Sequence, residues 1–423
     1  METSIIALII MAVTLILFVS EKLPLAITAT LSMVAMAFTG CVPYSQAFAG
    51  FSSTAVLMII GTGIIGAACF STGLADAIGK WVLKFDKLEE SRFVLIIVII
   101  GTLLSAPLSG IAVMVMLMPI IDAIAAKTNG RITRKNTYLP LGIATVLGGN
   151  LSAIGSTSMI NASAMLGESY CGREFAFFEP AKLGFIGALV PIAMALIFKT
   201  KLQNKFFDFE GYSSKSSRIE KEDDKNRPAW KMYFVGAVLI SCTIAYILGI
   251  NYGAVSLLGG CLVVVFGCID MERVISGVSW NTVLVVAGTL GFAKGVEISG
   301  AGEIIADVVI GVCGPLAESA FGMCVVLMFV STVLSNFTSN NATVGICVPI
   351  ALSIAQALGA DPAVFVLCCA IGTNLSVATP MCTAPITITA SAGYRFKDYF
   401  RYGGIQNALA FIGTVIALKI FYF

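Results

Sequence analysis

The sequence predicts an all-α polytopic membrane protein built as an inverted repeat, two five-helix units that each carry a re-entrant hairpin and a broken helix. Three observations lead there. Of the 423 residues, 58% are hydrophobic and only 12% charged, where a soluble domain carries about 25% charged residues. Apolar stretches of about 20 residues, enough to cross a bilayer core, recur from end to end. Motifs of the first half also return, in order, in the second.

Composition excludes as well. Mean hydropathy is +0.94, and 15 of the charged residues crowd between Lys199 and Lys231. The remainder cannot clothe a soluble globule, so a soluble enzyme, a nucleic-acid binder and a disordered chain are ruled out. A net charge of +2 points to no acidic macromolecular partner. There is no histidine, which removes the commonest proton shuttle, general base and metal ligand. Cys69, Cys261, Cys324, Cys347, Cys368 and Cys369 sit in apolar runs without metal-site spacing, as small core residues do.

In chain order, crossings are expected over 3–20, 23–41, 54–73, 137–166, 181–198, 232–250, 253–269, 280–298, 362–391 and 403–422. The first carries Glu2 and neither a basic leader nor a small-residue cleavage site, so it is expected as a retained helix. The spans 137–166 and 362–391 are interrupted by Gly, Asn, Ser, Thr or Pro. The stretches 92–126 and 317–358 are too long for one crossing and have polar, Ser-rich centres. Each is expected as a hairpin that dips in and returns to the same side. Residues 1–198 then form the first repeat, 199–231 a cytoplasmic connector, and 232–423 the second repeat. With the connector inside, 22 of the 26 Lys and Arg fall on the cytoplasmic side. Both termini should face outward, the first hairpin entering from the cytoplasm and the second from outside.

The repeat is specific. Gly50, Ser52, Gly61, Thr62 and Gly73 recur 227 residues later as Gly277, Ser279, Gly288, Thr289 and Gly300. Thr102, Ser105, Ser109 and Pro119 match Thr332, Ser335, Ser339 and Pro349, and Gly149-Asn150-Leu151-Ser152 matches Thr373-Asn374-Leu375-Ser376. Five crossings per unit make the second copy insert upside down, the plan of secondary transporters, whose substrates bind near the midplane where broken helices meet. Carrier-mediated transport follows. Gly61 and Gly288 themselves read as helix-packing contacts.

The broken segments carry the chemistry. Leu334 to Thr343 holds seven polar side chains in ten residues, at a depth where irregular backbone must be buried in protein or line a cavity. Ser, Thr and Asn oxygens suit a desolvated sodium ion, and Asn also donates to a carboxylate. Helix N-termini at a break add amide donors for an anion. Such groups can also simply knit helices together. Gly149 to Ser158 and Val377 to Thr383 combine breakers with hydroxyls, and Pro380 frees backbone carbonyls. No charged residue falls at the centre of any span or hairpin. Proton-coupled carriers rely on an intramembrane carboxylate or His, so sodium held by neutral oxygens is the expected coupling ion.

Ser339-Asn340-Asn341-Ala342-Thr343 followed by Pro349 resembles the second Ser-Asn-Thr motif of the divalent anion:sodium symporters (DASS). Val377-Ala378-Thr379-Pro380 and Gly393-Tyr394-Arg395-Phe396-Lys397-Asp398 resemble that family's second broken helix and the segment after it. The likeness spans roughly 50–420 and reaches the wider ion-transporter superfamily of citrate, arsenite and sodium/proton carriers. It implies a non-enzymatic, plasma-membrane homodimer with an elevator mechanism, sodium symport of a di- or tricarboxylate or sulfate, and no cofactor or metal beyond sodium. Anion exchange, facilitation and proton coupling are the alternatives within transport. Carried over by position, Ser335, Thr338, Asn340 and Ala378 would hold one sodium. Ser105, Ser109, Gly110 and Gly149 would hold another, with Asn150 standing in for a missing amide. Ser152, Ser339, Asn340, Asn341, Thr379 and Pro380 would meet the anion. The sequence departs from the pattern at Ser109-Gly110-Ile111, which lacks an amide and a hydroxyl, and at Asn341, where the family has Thr.

Overall fold

Apolar side chains without a soluble protein's polar face give helices that bury little in water and pack along their length. The computed structural model describes residues 2–20, 22–74, 77, 88–128, 131–168, 172–209, 228–314 and 319–423, and among them there are helices and no strands. The middle of the expected connector lies outside the described residues.

Two bodies of helices emerge from the packing. Glu2–Ser20, Leu25–Phe38, Thr54–Ser71, Ala229–Ile247, Tyr252–Val265 and Trp280–Ile298 form a frame. The second body holds the two hairpins, with arms Glu90–Leu104 and Gly110–Lys127, then Ala320–Phe337 and Asn340–Ala357. With them pack the two broken spans and the helices Ala181–Phe198 and Gly404–Tyr422. Trp280–Ile298 of the frame crosses to touch Asn340–Ala357, with Gly345 seated against the Thr289 side chain.

The repeat shows in the geometry of the frame. Helices begin at Glu2, Leu25 and Thr54, and again at Ala229, Tyr252 and Trp280. Gly40 and Gly73 close helices at φ of 75° and 80°, and so do Gly267 and Gly300 at 64° and 73°, conformations that only glycine adopts without strain. The close approaches are reciprocal too. A Cβ on Gly61 would lie 2.2 Å from the Ser256 carbonyl carbon, and one on Gly288 would lie 2.7 Å from that of Ala29. Ser256 and Ala29 lie 227 residues apart, the offset of the sequence repeat, so the two close approaches occur at matching places.

Both broken spans break where their sequences do. The first runs Arg134–Gly148, then Gly149–Leu151 as a tight turn, then Thr157–Glu168; the second runs Pro362–Asn374 and resumes only briefly as Ala384–Thr389. Thr133 and Asp361 cap their starts through Asn136 N at 3.2 Å and Ala363 N at 2.9 Å. The Glu90 carboxylate accepts from Thr133 N (2.9 Å), Thr133 Oγ1 (2.6 Å) and Asn136 Nδ2 (2.8 Å), tying the first hairpin to the first broken span.

Three features depart from the expected elements. Ala301–Cys313 is a further helix, amphipathic with Glu303 and Asp307, and too mixed in polarity to read as a crossing. Among the described residues seven helices are long and apolar enough to span a membrane, and two of them are the hairpin arms Gly110–Lys127 and Ala320–Phe337. The connector does not start as free chain. Lys201–Phe206 is helical, Gln203 Nε2 donates to Tyr402 Oη at 3.3 Å, and Phe207 packs edge-on against Tyr394 and Tyr402.

Candidate functional site

Four chain interruptions meet at one place. The tips of both hairpins and the breaks of both spans line a cavity of about 660 Å³ between the two bodies. Hairpin helices place their N-termini there because Ser109 and Ser339 stop them, extended at φ −65° and −71°. Ser339 Oγ caps Ala342 N at 3.3 Å, whereas Ser109 makes no cap bond through its side chain. Frame residues Thr62, Phe70, Tyr246 and Asn281 complete the wall. Among the described residues, no Asp, Glu, Lys or Arg lines it.

Asn374 is the hub. Its Nδ2 donates to Asn150 Oδ1 and Ser156 Oγ, each at 2.8 Å, and its Oδ1 accepts from Ser158 Oγ at 2.7 Å and Asn340 Nδ2 at 3.0 Å. Asn150 and Asn374 occupy matching places in the two halves of the sequence and touch directly. Asn150, Ser158 and Asn374 are buried, so each bond among them avoids a full desolvation cost.

Beside the hub is a knot of oxygens. Ser335 Oγ lies 2.5 Å from Asn340 Oδ1, and Ser376 Oγ lies 3.0 Å from Ser335 Oγ and 3.3 Å from Asn340 Oδ1. The same edge of the Asn340 amide stands 3.2 Å from the Cys382 carbonyl and 3.3 Å from that of Thr373. An amide has two orientations. With nitrogen on that edge, Asn340 donates to those oxygens and satisfies the cluster by itself; with oxygen there, five oxygens converge. In the first half Gly110 stands at the place of Asn340. Ser105 there donates to the Thr145 carbonyl and Ser152 to that of Ala106 (2.5 Å), which leaves no comparable knot.

Of the residues expected at the site, Ser109, Gly110, Ser339, Asn340 and Asn341 reach the cavity. Ser105, Gly149, Asn150, Ser152, Ser335, Thr338, Ala378, Thr379 and Pro380 stand behind it. Thr338 Oγ1 pairs with Thr343 Oγ1 at 2.9 Å, Ala378 N donates to Asn336 Oδ1 at 3.0 Å, and Thr379 Oγ1 donates to the Asn336 carbonyl. The Pro380 carbonyl accepts from Thr387 Oγ1 at 2.8 Å. Gly149 sits within the break, where a Cβ would meet the Gly155 carbonyl at 2.9 Å. Asn150 braces Asn374 rather than facing the cavity. The structure adds Ser156, Thr157, Asn374 and Thr383 to the wall; their signal was present, since all four fall within or beside the breaker-rich segments. Asn341 Nδ2 donates to Thr157 Oγ1 at 3.3 Å, while Asn341 Oδ1 and Thr383 Oγ1 are buried without a partner.

Gly277, Asn281 and Thr282 of the frame line the cavity, and so does Tyr246, which belongs to an aromatic cluster. Phe177 stacks on Tyr246 at 6.0 Å, and Tyr252 Oη donates to the Phe175 carbonyl at 3.0 Å. Glu168 and Glu174 lie near this cluster in sequence, outside the expected spans. Burial pushes the Glu174 carboxyl above its usual range, against the hydrogen bond from Thr54. Burial also raises Glu168, helped by the Glu174 charge and opposed by Lys294.

Known proteins share this architecture. The profile of the citrate transporter family (CitMHS) matches residues 15–372 and, in a second match, 254–422. An uncharacterized transporter of Haemophilus influenzae is 25% identical over 416 residues, covering 95% of this chain and 88% of that protein. Human Solute carrier family 13 member 2 is 32% identical over 156 residues, 36% of this chain and 25% of its own length. Among solved structures, the YdaH transporter of Alcanivorax borkumensis, described as having an unusual topology, aligns at a TM-score of 0.54 and 13% identity. That alignment covers 92% of this chain and 88% of YdaH, a likeness of fold. With a family profile running over nearly its whole length, the chain belongs to the citrate transporter family and is a multi-pass membrane transporter rather than an enzyme.

Proposed function

We propose that the protein is a sodium-coupled symporter of a small carboxylate anion, working by alternating access. The observation that supports this most is the neutral wall: a cavity lined by hydroxyls, amides and helix N-termini, with no charged side chain among the described residues. An anion in such a wall gains from a co-bound cation, and the oxygen knot around Asn340 has the donor set for sodium. A proton-coupled carrier needs an intramembrane carboxylate or His, for which the described wall offers no group.

The hairpins and broken spans move as one body against the frame, an elevator in a cell-membrane homodimer with both termini outside. On that topology Gly277 to Thr282 lie toward the cytoplasmic side of the cavity. Uptake of labelled carboxylates into proteoliposomes tests the coupling: an inward sodium gradient should drive accumulation that choline does not. Equal uptake in choline, or accumulation driven by a pH gradient alone, would exclude sodium coupling.

A further inference from the structure

We infer that segment 395–401 is a docking surface for anionic phospholipid headgroups, formed where the last helix runs out of the bilayer. The surface is separate from the transport cavity and goes beyond the symport reading. The chain is helical from Phe396 to Tyr422, 27 residues, or about 40 Å at 1.5 Å per residue. A hydrocarbon core is about 30 Å thick, and Gly404–Tyr422 fills it alone. The turns before Gly404 therefore stand at headgroup level.

These turns continue the face that meets lipid. Ile405, Leu409, Ile412, Ile416 and Ile420 form an exposed apolar stripe at helical spacing. Phe396 and Phe400, 55% and 63% exposed, extend it. The step from Phe400 to Ile405 is one residue longer than a helical step, and it falls on the π turn Tyr399–Gly403. That wide turn keeps both rings in line with the stripe, while Tyr399 and Tyr402 pack inward.

Beside the rings stand Arg395, Lys397 and Arg401, all exposed. Among the described residues none of the three has a carboxylate within ion-pair distance. The acid of the segment, Asp398, turns inward, where it is buried and accepts from Arg395 N at 2.8 Å. Guanidinium groups bind phosphate oxygens in pairs, and basic residues beside a bilayer are drawn to anionic lipids. Phe side chains at that depth bury apolar area at the acyl boundary. With both termini outside, the surface they meet is the cytoplasmic leaflet.

The test titrates dioleoyl phosphatidylglycerol and dioleoyl phosphatidylcholine into the detergent-purified full chain, with bound lipid read by native mass spectrometry. The anionic lipid should bind at least about tenfold more tightly, since each basic group near an anionic surface gives roughly fivefold. The preference should shrink as salt rises. Arg395→Gln, Lys397→Gln and Arg401→Gln together should bring the two lipids level. Lys199→Gln, Lys201→Gln and Lys205→Gln, which remove the same charge from exposed positions elsewhere, should leave the preference intact. Should the first triple fail to fold, Lys397→Gln with Arg401→Gln is expected to lose most of it. A preference that survives these changes would overturn the inference. So would an equal loss in both triples, which would show an effect of net charge alone. Transport is not the readout, so either result leaves the symport reading standing.

Discussion

Asn340 and Asn150 look alike in sequence and do different work. Asn340 stands at the start of a hairpin helix among hydroxyls and carbonyls, where turning its amide converts a donor into a cation ligand. Asn150 is wholly buried, gives its oxygen to Asn374, and leaves its own Nδ2 without a partner. Asn340→Ala should therefore abolish the sodium-dependent rise in melting temperature of the purified protein, measured against choline at equal ionic strength. Asn150→Ala should instead strip Asn374 of one partner and destabilise the protein by about 1–3 kcal/mol, with the apparent sodium affinity of uptake unchanged. A sodium response that survives in Asn340→Ala would remove that residue from the cation site. A shifted sodium affinity in Asn150→Ala would show that it does supply the first hairpin's missing amide.

At the scale of elements, the segment after the first broken span packs on the frame, Phe175 through its carbonyl on Tyr252 and Phe177 on the Tyr246 ring. Glu174 pays for its position there. Its carboxyl binds a proton more tightly in the folded protein than in the unfolded chain, because burial raises it from about 4.5. Stability from this group is present below that ordinary value and is lost as pH rises through the raised one. Glu174→Gln should therefore flatten the fall in melting temperature over the interval just above pH 4.5. An unaltered profile would show that another group, Glu168 foremost, sets the dependence. The second element of interest is the wide π turn Tyr399–Gly403, where a Cβ on Gly403 would come within 2.0 Å of the Val377 carbonyl oxygen. That contact lets the last helix press directly on the second break, and π turns often mark such functional places.

For the whole molecule, the question is whether one body moves against the other. Asn161 of the first broken span bonds Thr289 of the frame, 3.2 Å from Nδ2 to Oγ1, so the pair reports on their relative position. Asn161→Cys with Thr289→Cys, on a cysteine-depleted background, should cross-link on oxidation. The linked protein should bind its anion but stop transporting, and reduction should restore uptake. Full transport in the cross-linked protein would show that the two bodies need not separate there.

How much of this was legible in advance depends on the range of the force involved. The membrane class, the helices and the repeat follow from the sequence itself, because a bilayer demands long apolar runs and satisfied backbone within each segment. Span 181–198 and the breaks at Gly149 and beyond Asn374 fall where the residues place them. Gly61 and Gly288 read as packing contacts and are so. The amphipathic helix Ala301–Cys313 is not legible as a crossing, because Glu303 and Asp307 interrupt its apolar run. The site was half legible. Polar residues in apolar runs announce themselves, so Ser339, Asn340 and Asn341 could be named. Which of them face the cavity, and which brace it, depends on side-chain directions set by contacts over 200 residues away, as between Asn374 and Asn150. Sequence alone determined that polar breaks would lie at membrane depth. Only the tertiary structure decided that Asn374 joins them, because its contact with Asn150 forms only when two distant segments fold against each other.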